Sequence, residues 1–432
     1  MNFSAENIAS AVDSQRATIE SIFSALENGS RDGEGISRVS YGEGENFAHR
    51  LLADFSRSIG LEVSTDASAN TYMTLPGRRR DLPRIVIGSH LDSVKNGGNY
   101  DGAAGVVAGL GAILALAKLG ITPECDVVAM GIRAEESVWF QVSYLGSRGA
   151  LGLLPEGALD AKRIDTGISA RDHIAKCGGD PDMLASGHAH LSRQNVKAFI
   201  EPHIEQAPRL VEQGIPVGIC LGVPGLFMYA DARVSGEYGH VGTPRMYRHD
   251  AAMAAADFAM QLDQEWERQL AAGRQMAITF GRFHTDSEAH GLTTIAGEFR
   301  FSVDIRGYEQ DLIDHMERQV DQIIERVQRQ RRVSFDLGNK RSAAIGYVDK
   351  TIRESLEKSA IGMNVPYVKM YSPASHDAGA FCAAGIPTGM IMIRNQNGSH
   401  NPDERMETDD FLQGLRVLVS WLIQEIKGVE PD

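Results

Sequence analysis

Short apolar runs and longer helix-like runs alternate along the first two hundred residues of the chain. Residues 84–88, 126–132 and 196–200 are rich in apolar residues and predict buried strands. An apolar helix pattern covers 105–119, and a further strand pattern covers 388–393. Strands that alternate with helices favour a mostly parallel sheet with helices on both faces. We therefore predict the α/β class, with much of the chain before residue 61 helical.

A second pattern begins near residue 227. Residues 227–235 and 294–305 alternate between apolar and polar positions, as half-exposed strands do. Residues 250–269 and 310–328 carry helical periodicity. This order predicts a smaller α+β insert with a partly antiparallel sheet. The predicted boundaries are 1–225 and 343–432 for the two parts of the main domain and 226–342 for the insert.

The composition is that of a globular protein of ordinary polarity. The chain has 432 residues, which favours two domains over one growing core. Its formal charge of −14 argues against nucleic acid and against an anionic membrane surface as partners. The four cysteines include no Cys-x-x-Cys pair, and we find neither a signal-peptide pattern nor a bilayer-spanning run. We expect a cytoplasmic protein.

Residues with the chemistry of metal ligands follow the predicted strands. They are His90, Asp92 and Asp101 after the first strand, Glu135 and Glu136 after the second, His203 after the third and His400 after the fourth. In open α/β sheets, ligands bind just beyond the carboxyl ends of the strands. Each cluster alone is commonplace, since His-x-Asp is usually a salt-bridge pair and Glu-Glu is frequent on helix surfaces. Together they predict a metal site.

A pair of divalent ions needs imidazole and carboxylate ligands, one of which bridges the ions. His90 and Asp101 suit a first ion, and Asp101 is the natural bridge. His203 and His400 would complete one coordination sphere each. We therefore expect two divalent ions per subunit; the mixed ligands suit zinc and also manganese, cobalt or nickel.

Three acidic residues remain for the supporting roles. Asp92, two residues after His90, is placed to hold the second nitrogen of that imidazole. Glu135 and Glu136 are adjacent, so their side chains diverge and one would be a ligand while the other is the general base. Apolar, carboxylate-rich surroundings would raise the pKa of the base.

The same residues resemble the motifs of the aminoacylase/carboxypeptidase-like dizinc hydrolases. The sequence looks like the hydantoinase/carbamoylase branch, which contains allantoate amidohydrolase, N-carbamoyl-L-amino-acid hydrolase and β-ureidopropionase. The matching motifs are His90-Leu91-Asp92-Ser93-Val94, Asn96-Gly97-Gly98, Tyr100-Asp101-Gly102, Glu135-Glu136 with Leu145-Gly146-Ser147-Arg148, Glu201-Pro202-His203-Ile204-Glu205-Gln206, and Ser399-His400. The resemblance covers most of the chain, including the insert.

This resemblance implies a role for each candidate residue. It implies one metal ion on His90, Asp101 and His203, the other on Asp101, Glu136 and His400, and Glu135 as the base. It implies that Gln206 contacts the substrate, that His240 reaches across a homodimer to stabilise the oxyanion, and that Arg306 binds a substrate carboxylate. A histidine donor suits an oxyanion, and a guanidinium suits a carboxylate. The insert would then act as a lid and dimerisation domain.

Several positions depart from the family's pattern where the substrate would be held. They are Trp139, Gly239, Thr293, Pro373 and Ser375. Lost amide donors and a gained indole suggest a substrate less polar than allantoate, and an aromatic substrate is one hypothesis.

The sequence thus predicts a dinuclear-metal amidohydrolase that cleaves a linear amide or ureido C–N bond in a small carboxylate-bearing substrate. N-carbamoyl amino acids, ureido acids and allantoate-like compounds are the candidate substrates. An N-acyl amino acid amidohydrolase or a dipeptidase on the same metal centre is the alternative. A binding protein without catalytic activity is a more remote one.

Overall fold

The computed structural model describes residues 3–426, which divide into two compact units. The first unit contains the described residues up to Val223 and from Gly346 onward, and the second contains Pro224–Ile345. The sequence analysis put the insert at 226–342. The chain therefore leaves the first unit, forms the second, and returns to the first.

Helices occur in both units. In chain order they are α1 (Ala5–Asp13), α2 (Arg16–Ser30), α3 (Glu43–Ser58), α4 (Ala103–Lys118), α5 (Ser137–Phe140), α6 (Leu145–Ala150), α7 (Ala170–Lys176), α8 (Pro181–Ala185), α9 (Arg209–Gln213), α10 (Ala251–Ala271), α11 (Gln310–Arg331), α12 (Lys350–Gly362), α13 (Asp377–Ala383) and α14 (Thr408–Glu425). Short 3-10 helices cover Ala158–Asp160 and Arg245–Tyr247. Within residues 3–426, none of the helices combines the length and the apolar character that a membrane crossing requires.

The strands are more numerous than the helices. In chain order they are β1 (Arg31–Asp32), β2 (Gly35–Ile36), β3 (Glu62–Thr65), β4 (Thr71–Leu75), β5 (Arg84–His90), β6 (Val127–Ile132), β7 (Val196–Ile204), β8 (Val217–Cys220), β9 (Gly222–Val223), β10 (Gly225–Ser235), β11 (Gly239–His240), β12 (Met276–Thr279), β13 (Phe283–Thr285), β14 (Thr294–Ile295), β15 (Glu298–Gly307), β16 (Ser334–Asp336), β17 (Lys340–Ala343), β18 (Gly346–Tyr347), β19 (Tyr367–Met370) and β20 (Thr388–Ile393).

The first unit is built on an eight-stranded sheet of order β19-β8-β20-β7-β5-β6-β4-β3. The four central strands, β20, β7, β5 and β6, are parallel to one another. Antiparallel pairs join β8 to β20, β4 to β6 and β3 to β4. Central parallel strands are buried on both faces, which explains their continuous apolar runs. The predicted α/β class is confirmed, with antiparallel pairs towards both edges.

The histidines sit closer to the strands than the sequence pattern indicates. We predicted His90 and His203 beyond strands that end at residues 88 and 200, but β5 ends at His90 and β7 extends to Ile204. Polar residues and Pro202 interrupt the apolar runs, and proline is disfavoured in central strands, so the pattern ends both strands too early. Both imidazoles therefore start from rigid sheet backbone.

Helix α4 packs directly on the strands that carry these histidines. It is buried along its length between the sheet and helices α1 and α14. A Cβ at Gly105 would lie 2.2 Å from the carbonyl oxygen of Pro202, so only glycine permits this approach. Gly102, with φ +67°, makes the turn into α4, and a Cβ there would overlap the ring of His90. Close packing thus sets the position of the turn that carries Asp101.

The second unit has an antiparallel sheet with path β12-β15-β10-β16, in which β13 also pairs with β15 and β17 with β10. Helices α10 and α11 cover one face, where Phe227, Phe258 and Ile305 are buried. Alternate residues of β15, including Asp304 and Arg306, point to the opposite face. The predicted α+β insert is present in this form.

We expect Gly105→Ala to destabilise the first unit by about 1–3 kcal/mol, because the added methyl overlaps a backbone carbonyl that cannot move aside. Urea unfolding measures the change. Gly362→Ala at the end of α12, where a Cβ meets nothing within 4 Å, is the control and should be neutral or slightly stabilising. Equal stability of both variants would contradict the packing argument.

Candidate metal centre

The carboxylate of Asp101 lies at the centre of the predicted ligands. Its Oδ1 is 3.5 Å from Nε2 of His90 and 3.2 Å from Nε2 of His203. Its Oδ2 is 3.3 Å from Nε2 of His400, which is also 3.3 Å from Oε1 of Glu136. The structure therefore brings together two groups of three candidate ligands that share Asp101.

In the first group, the imidazole nitrogens that face Asp101 carry free lone pairs when the rings are neutral. Nδ1 of His90 lies 3.0 Å from the carbonyl oxygen of Asp92, and Nδ1 of His203 lies 2.8 Å from that of Ile204. A carbonyl only accepts, so each Nδ1 carries the proton and each neutral Nε2 presents a lone pair to Asp101. This is the orientation in which a histidine binds a metal.

Buried atoms without hydrogen bonds mark the same position. Asp101 Oδ1 and His203 Nε2 are buried, face each other, and make no hydrogen bond to any described residue. Two such acceptors need a proton or a cation between them. The separations of 3.2–3.5 Å between ligand atoms match the value of about 3.4 Å expected around a tetrahedral ion with bonds near 2.1 Å. The residues present therefore fit a divalent cation.

The carboxylates hold protons on the histidines when no cation is bound. Contacts with Asp101 and Glu136 raise the pKa of His400 to about 11. Burial lowers the pKa of His90, but its contacts with Asp101 and Asp92 outweigh this and raise that pKa well above its usual value. Cations would replace these protons, so binding should depend on pH.

Asp92 supports more than the imidazole predicted for it. Its Oδ1 is 3.4 Å from Nδ1 of His90, while its two oxygens accept the main-chain N–H groups of Glu135 (3.0 Å) and Glu136 (3.1 Å). The hydroxyl of Ser40 donates to Oδ2 at 2.6 Å. Asp92 thus positions the backbone of both glutamates, a role that sequence spacing does not reveal.

Glu135 has the environment of a general base. Part of its side chain is accessible, but its carboxyl lies among other acidic groups. Burial, followed by the nearby Glu136 and Asp377, raises the pKa of Glu135 well above its usual value against the opposing effect of His90. A carboxylate with a raised pKa can both accept and return a proton near neutral pH.

Three further side chains hold the Asp101 carboxylate and its backbone. Gln206 Nε2 donates to Asp101 Oδ2 at 2.8 Å, and Ser399 Oγ donates to the same oxygen at 2.6 Å. Glu404 accepts the main-chain N–H groups of Tyr100 and Asp101, and burial raises its pKa to about 7. We predicted Gln206 as a substrate contact; the structure places its amide on Asp101. Nothing in the sequence around Glu404 indicates its role.

A third acidic and imidazole group lies behind the first. Glu201, His203 and His376 offer ligand atoms within 4.8 Å of one another, and the rings of the two histidines are 4.3 Å apart. Glu201, however, already accepts from Ser89 Oγ at 2.7 Å and from the N–H of Ala378 at 2.6 Å. This group therefore supports His203 from behind rather than presenting open ligand atoms, and the sequence analysis assigned no role to Glu201 or His376.

The two remaining predicted residues, His240 and Arg306, belong to the second unit. His240 is exposed, and its Nδ1 accepts the N–H of Gly242 at 3.2 Å, so in the neutral ring the proton is on Nε2. That is the donor form an oxyanion requires. Arg306 donates from Nε and Nη2 to the two oxygens of Asp304 at 2.9 and 3.1 Å. Its guanidinium is thus already oriented by a carboxylate on the same strand.

Comparison with known proteins gives the family. The model of the peptidase family M20/M25/M40 matches residues 86–424. The chain belongs to this family. It is 31% identical to an N-carbamoyl-L-amino acid amidohydrolase of Geobacillus stearothermophilus, over 93% of this chain and 96% of that protein.

Other members of the family are similar over comparable lengths. An allantoate amidohydrolase of Escherichia coli (strain K12) is 30% identical over 88% of this chain and 89% of its own length. The crystal structure of a hydantoinase/carbamoylase family amidase from Burkholderia ambifaria superposes with a TM-score of 0.79 at 27% identity, over 96% of this chain and 98% of that one. The resemblance inferred from the motifs is confirmed.

The departures from the family pattern do not support an aromatic substrate. Trp139, the indole behind that hypothesis, is only 6% exposed and packs in a core cluster with Tyr41 and Phe140. Its Nε1 donates to the main-chain oxygen of Ser93 at 2.8 Å. The indole therefore stabilises the backbone next to Asp92, and the hypothesis loses its main support.

We expect the apparent affinity for zinc to rise with pH. At a pH below the raised pKa values of His90 and His400, each imidazole must lose a proton before its nitrogen can bind zinc. Acid therefore weakens zinc binding, by about tenfold per pH unit for each proton displaced. Calorimetry between pH 6 and 9 in buffers of different ionisation enthalpy measures affinity and proton release together. Asp101→Asn should remove most binding, whereas Asp54→Asn on exposed α3 should not. Affinity independent of pH would contradict this.

Proposed function

We propose that the protein is a dinuclear-metal amidohydrolase that cleaves a linear amide or ureido C–N bond in a small carboxylate-bearing substrate. The observation that carries the proposal is a single carboxylate, Asp101, shared by two groups of three candidate ligands, with Glu135 beside them. The names of its relatives, N-carbamoyl-L-amino acid amidohydrolase and allantoate amidohydrolase, support the choice of a non-peptide C–N bond.

The chain's residues divide the chemistry between them. Two bound divalent ions would polarise the substrate carbonyl and lower the pKa of the attacking water. Glu135 takes the proton from that water, and afterwards delivers it to the leaving nitrogen. Asp92 keeps Glu135 and Glu136 in place through their main-chain N–H groups. Zinc suits the mixed ligands, as manganese, cobalt or nickel would.

Substrate orientation falls to Arg306 and Gln206. A guanidinium held by Asp304 loses little conformational entropy when it also binds a carboxylate of the substrate. Oε1 of Gln206 is buried and makes no hydrogen bond within the described chain, so this acceptor is unused and a substrate donor such as a ureido N–H would satisfy it.

His240 would act on the oxyanion from a second copy of the chain. It stands on the short β11–β14 pairing, where Tyr238, Val241 and Leu292 expose large apolar side chains. An exposed apolar patch of this kind is typical of an interface. The proposal therefore includes a homodimer and, given four free thiols, a reducing cytoplasm.

Purified, zinc-loaded protein should release product from N-carbamoyl amino acids or allantoate faster than from N-acetyl amino acids or dipeptides, and a chelator should abolish the activity. Glu135→Gln should lower kcat by about 10²- to 10⁴-fold with metal content unchanged, because only the proton transfer is lost. Product analysis and metal content by mass spectrometry measure both effects.

Glu156→Gln is the matched control, because Glu156 is exposed and its side chain makes no hydrogen bond or ion pair in the described chain. Full activity of Glu135→Gln would remove it as the base. Turnover of N-acyl or dipeptide substrates alone would replace the ureido assignment with the alternative one.

Mixing two inactive variants tests whether His240 acts across a dimer. His240→Ala keeps Glu135, and Glu135→Gln keeps His240, so a mixed dimer contains one complete site if His240 comes from the partner. We expect activity to return on mixing after subunit exchange, measured on the substrate found above. If mixing restores nothing although mixed dimers are detected by mass, His240 acts within its own chain or not at all.

A further inference from the structure

Arg148 follows Glu135 by thirteen residues and has no ion-pair partner among the described residues. It is half-buried on α6, yet its guanidinium makes no ion pair and no hydrogen bond to any residue between 3 and 426. The three buried arginines described in the first unit have partners. Arg38 donates to the carbonyl of Leu91, Arg133 pairs with Glu45, and Arg163 pairs with Asp165.

The environment of Arg148 makes this unpaired charge costly. Burial lowers the pKa of Arg148, and the nearby Tyr144 and Asp377 only partly offset this. A guanidinium withdrawn from water without a compensating anion is destabilising. An anion from a ligand would remove that cost.

Arg148 belongs to a segment whose backbone is hydrogen-bonded to the segment of Glu135. Its guanidinium carbon lies 5.3 Å from the centroid of the Tyr144 ring, which orients the planar group by stacking. The N–H of Tyr144 donates to the carbonyl oxygen of Glu135 at 3.1 Å, and the N–H of Leu145 donates to that of Ala134 at 3.0 Å. The segment that carries Arg148 is therefore tied to the segment that carries the base.

Strained backbone on both sides of this connection points to function. Tyr144 (φ 63°) and Ala134 (φ 51°) adopt left-handed conformations that non-glycine residues rarely occupy. Such strain persists where the surrounding structure imposes it, commonly at active sites. Here it places the Tyr144–Arg148 stack and Glu135 on the same short stretch of chain.

We propose that Arg148 binds a second carboxylate of the substrate, so that the preferred substrates are N-carbamoyl or ureido acids with an acidic side chain. The inference rests on the proposed function, since it takes Glu135 as the base and Arg306 as the residue for the first carboxylate. A guanidinium stacked on an aromatic ring keeps its N–H edge available for two parallel hydrogen bonds to a carboxylate.

The test compares N-carbamoyl-L-glutamate with its neutral isostere N-carbamoyl-L-glutamine. We expect the wild-type kcat/KM to favour glutamate by about 10- to 100-fold, the range for one charge-assisted contact. In Arg148→Met the ratio should fall towards one, and in Arg148→Lys it should be intermediate, because a lysine keeps the charge but not the planar fork. Arg78→Met is the control and should keep the wild-type ratio, because Arg78 is exposed and its side chain makes no hydrogen bond or ion pair to residues 3–426.

A wild-type preference for glutamine, or a ratio that Arg148→Met leaves unchanged, would overturn the proposal. Equal losses on both substrates would do so as well, since Arg148 would then not read the side chain. Calorimetry with glutarate and butyrate tests the anion site without requiring hydrolysis, so its outcome can be distinguished from failure of the proposed function. The metal-loaded wild type is compared with Arg148→Lys. Tighter binding of glutarate that weakens in Arg148→Lys supports the anion site even if no ureido compound is hydrolysed, whereas equal binding of both acids opposes it.

Discussion

The interaction on which the rest of the structure depends is the approach of three imidazoles to one buried carboxylate, Asp101. Burial alone would raise the pKa of that carboxyl, but contacts with His203, His400 and His90 hold it well below its usual value. The nitrogens that face it carry lone pairs when neutral, so the arrangement is stable only with protons or cations between them. A cluster of carboxylates and imidazoles that can exchange its protons for cations is thus built into the fold, and the supporting residues keep it in place.

Rigid elements supply that support from three directions. Strands β5 and β7 carry two of the imidazoles on sheet backbone, and α4 lies so close to β7 that only glycine fits at residue 105. Asp92 ties the backbone of Glu135 and Glu136 to the strand that ends at His90. A site held in this way loses little entropy when it binds ions, which is how a preorganised centre gains affinity.

The division of the chain into two units separates the chemical tasks. The candidate ligands and Glu135 belong to the first unit, while His240 and Arg306 belong to the second. Each residue of the second unit is prepared locally for its proposed role: Gly242 sets the tautomer of His240, and Asp304 orients Arg306. Arg148, by contrast, belongs to the unit of the base and has no ion-pair partner in the described part of the chain, which is why it suggests a preference between substrates rather than another structural contact.

Local sequence was sufficient to predict the α/β class, strands such as 388–393, and the residues that converge on Asp101. Buried strands and metal ligands impose short-range patterns of apolar and chelating residues, and such patterns can be read from the sequence. It ended β5 and β7 too early and did not reveal β8 or β19, since Pro202 and very short runs obscure the pattern. Only the tertiary structure decided that Gln206 donates to Asp101 and that Glu404 holds the backbone of Asp101. The same is true of the burial of Trp139 and of the lack of an ion-pair partner for Arg148 within residues 3–426. Those properties depend on neighbours distant in the chain, and hydrogen bonding, burial and charge compensation are set by what surrounds a side chain rather than by its own identity.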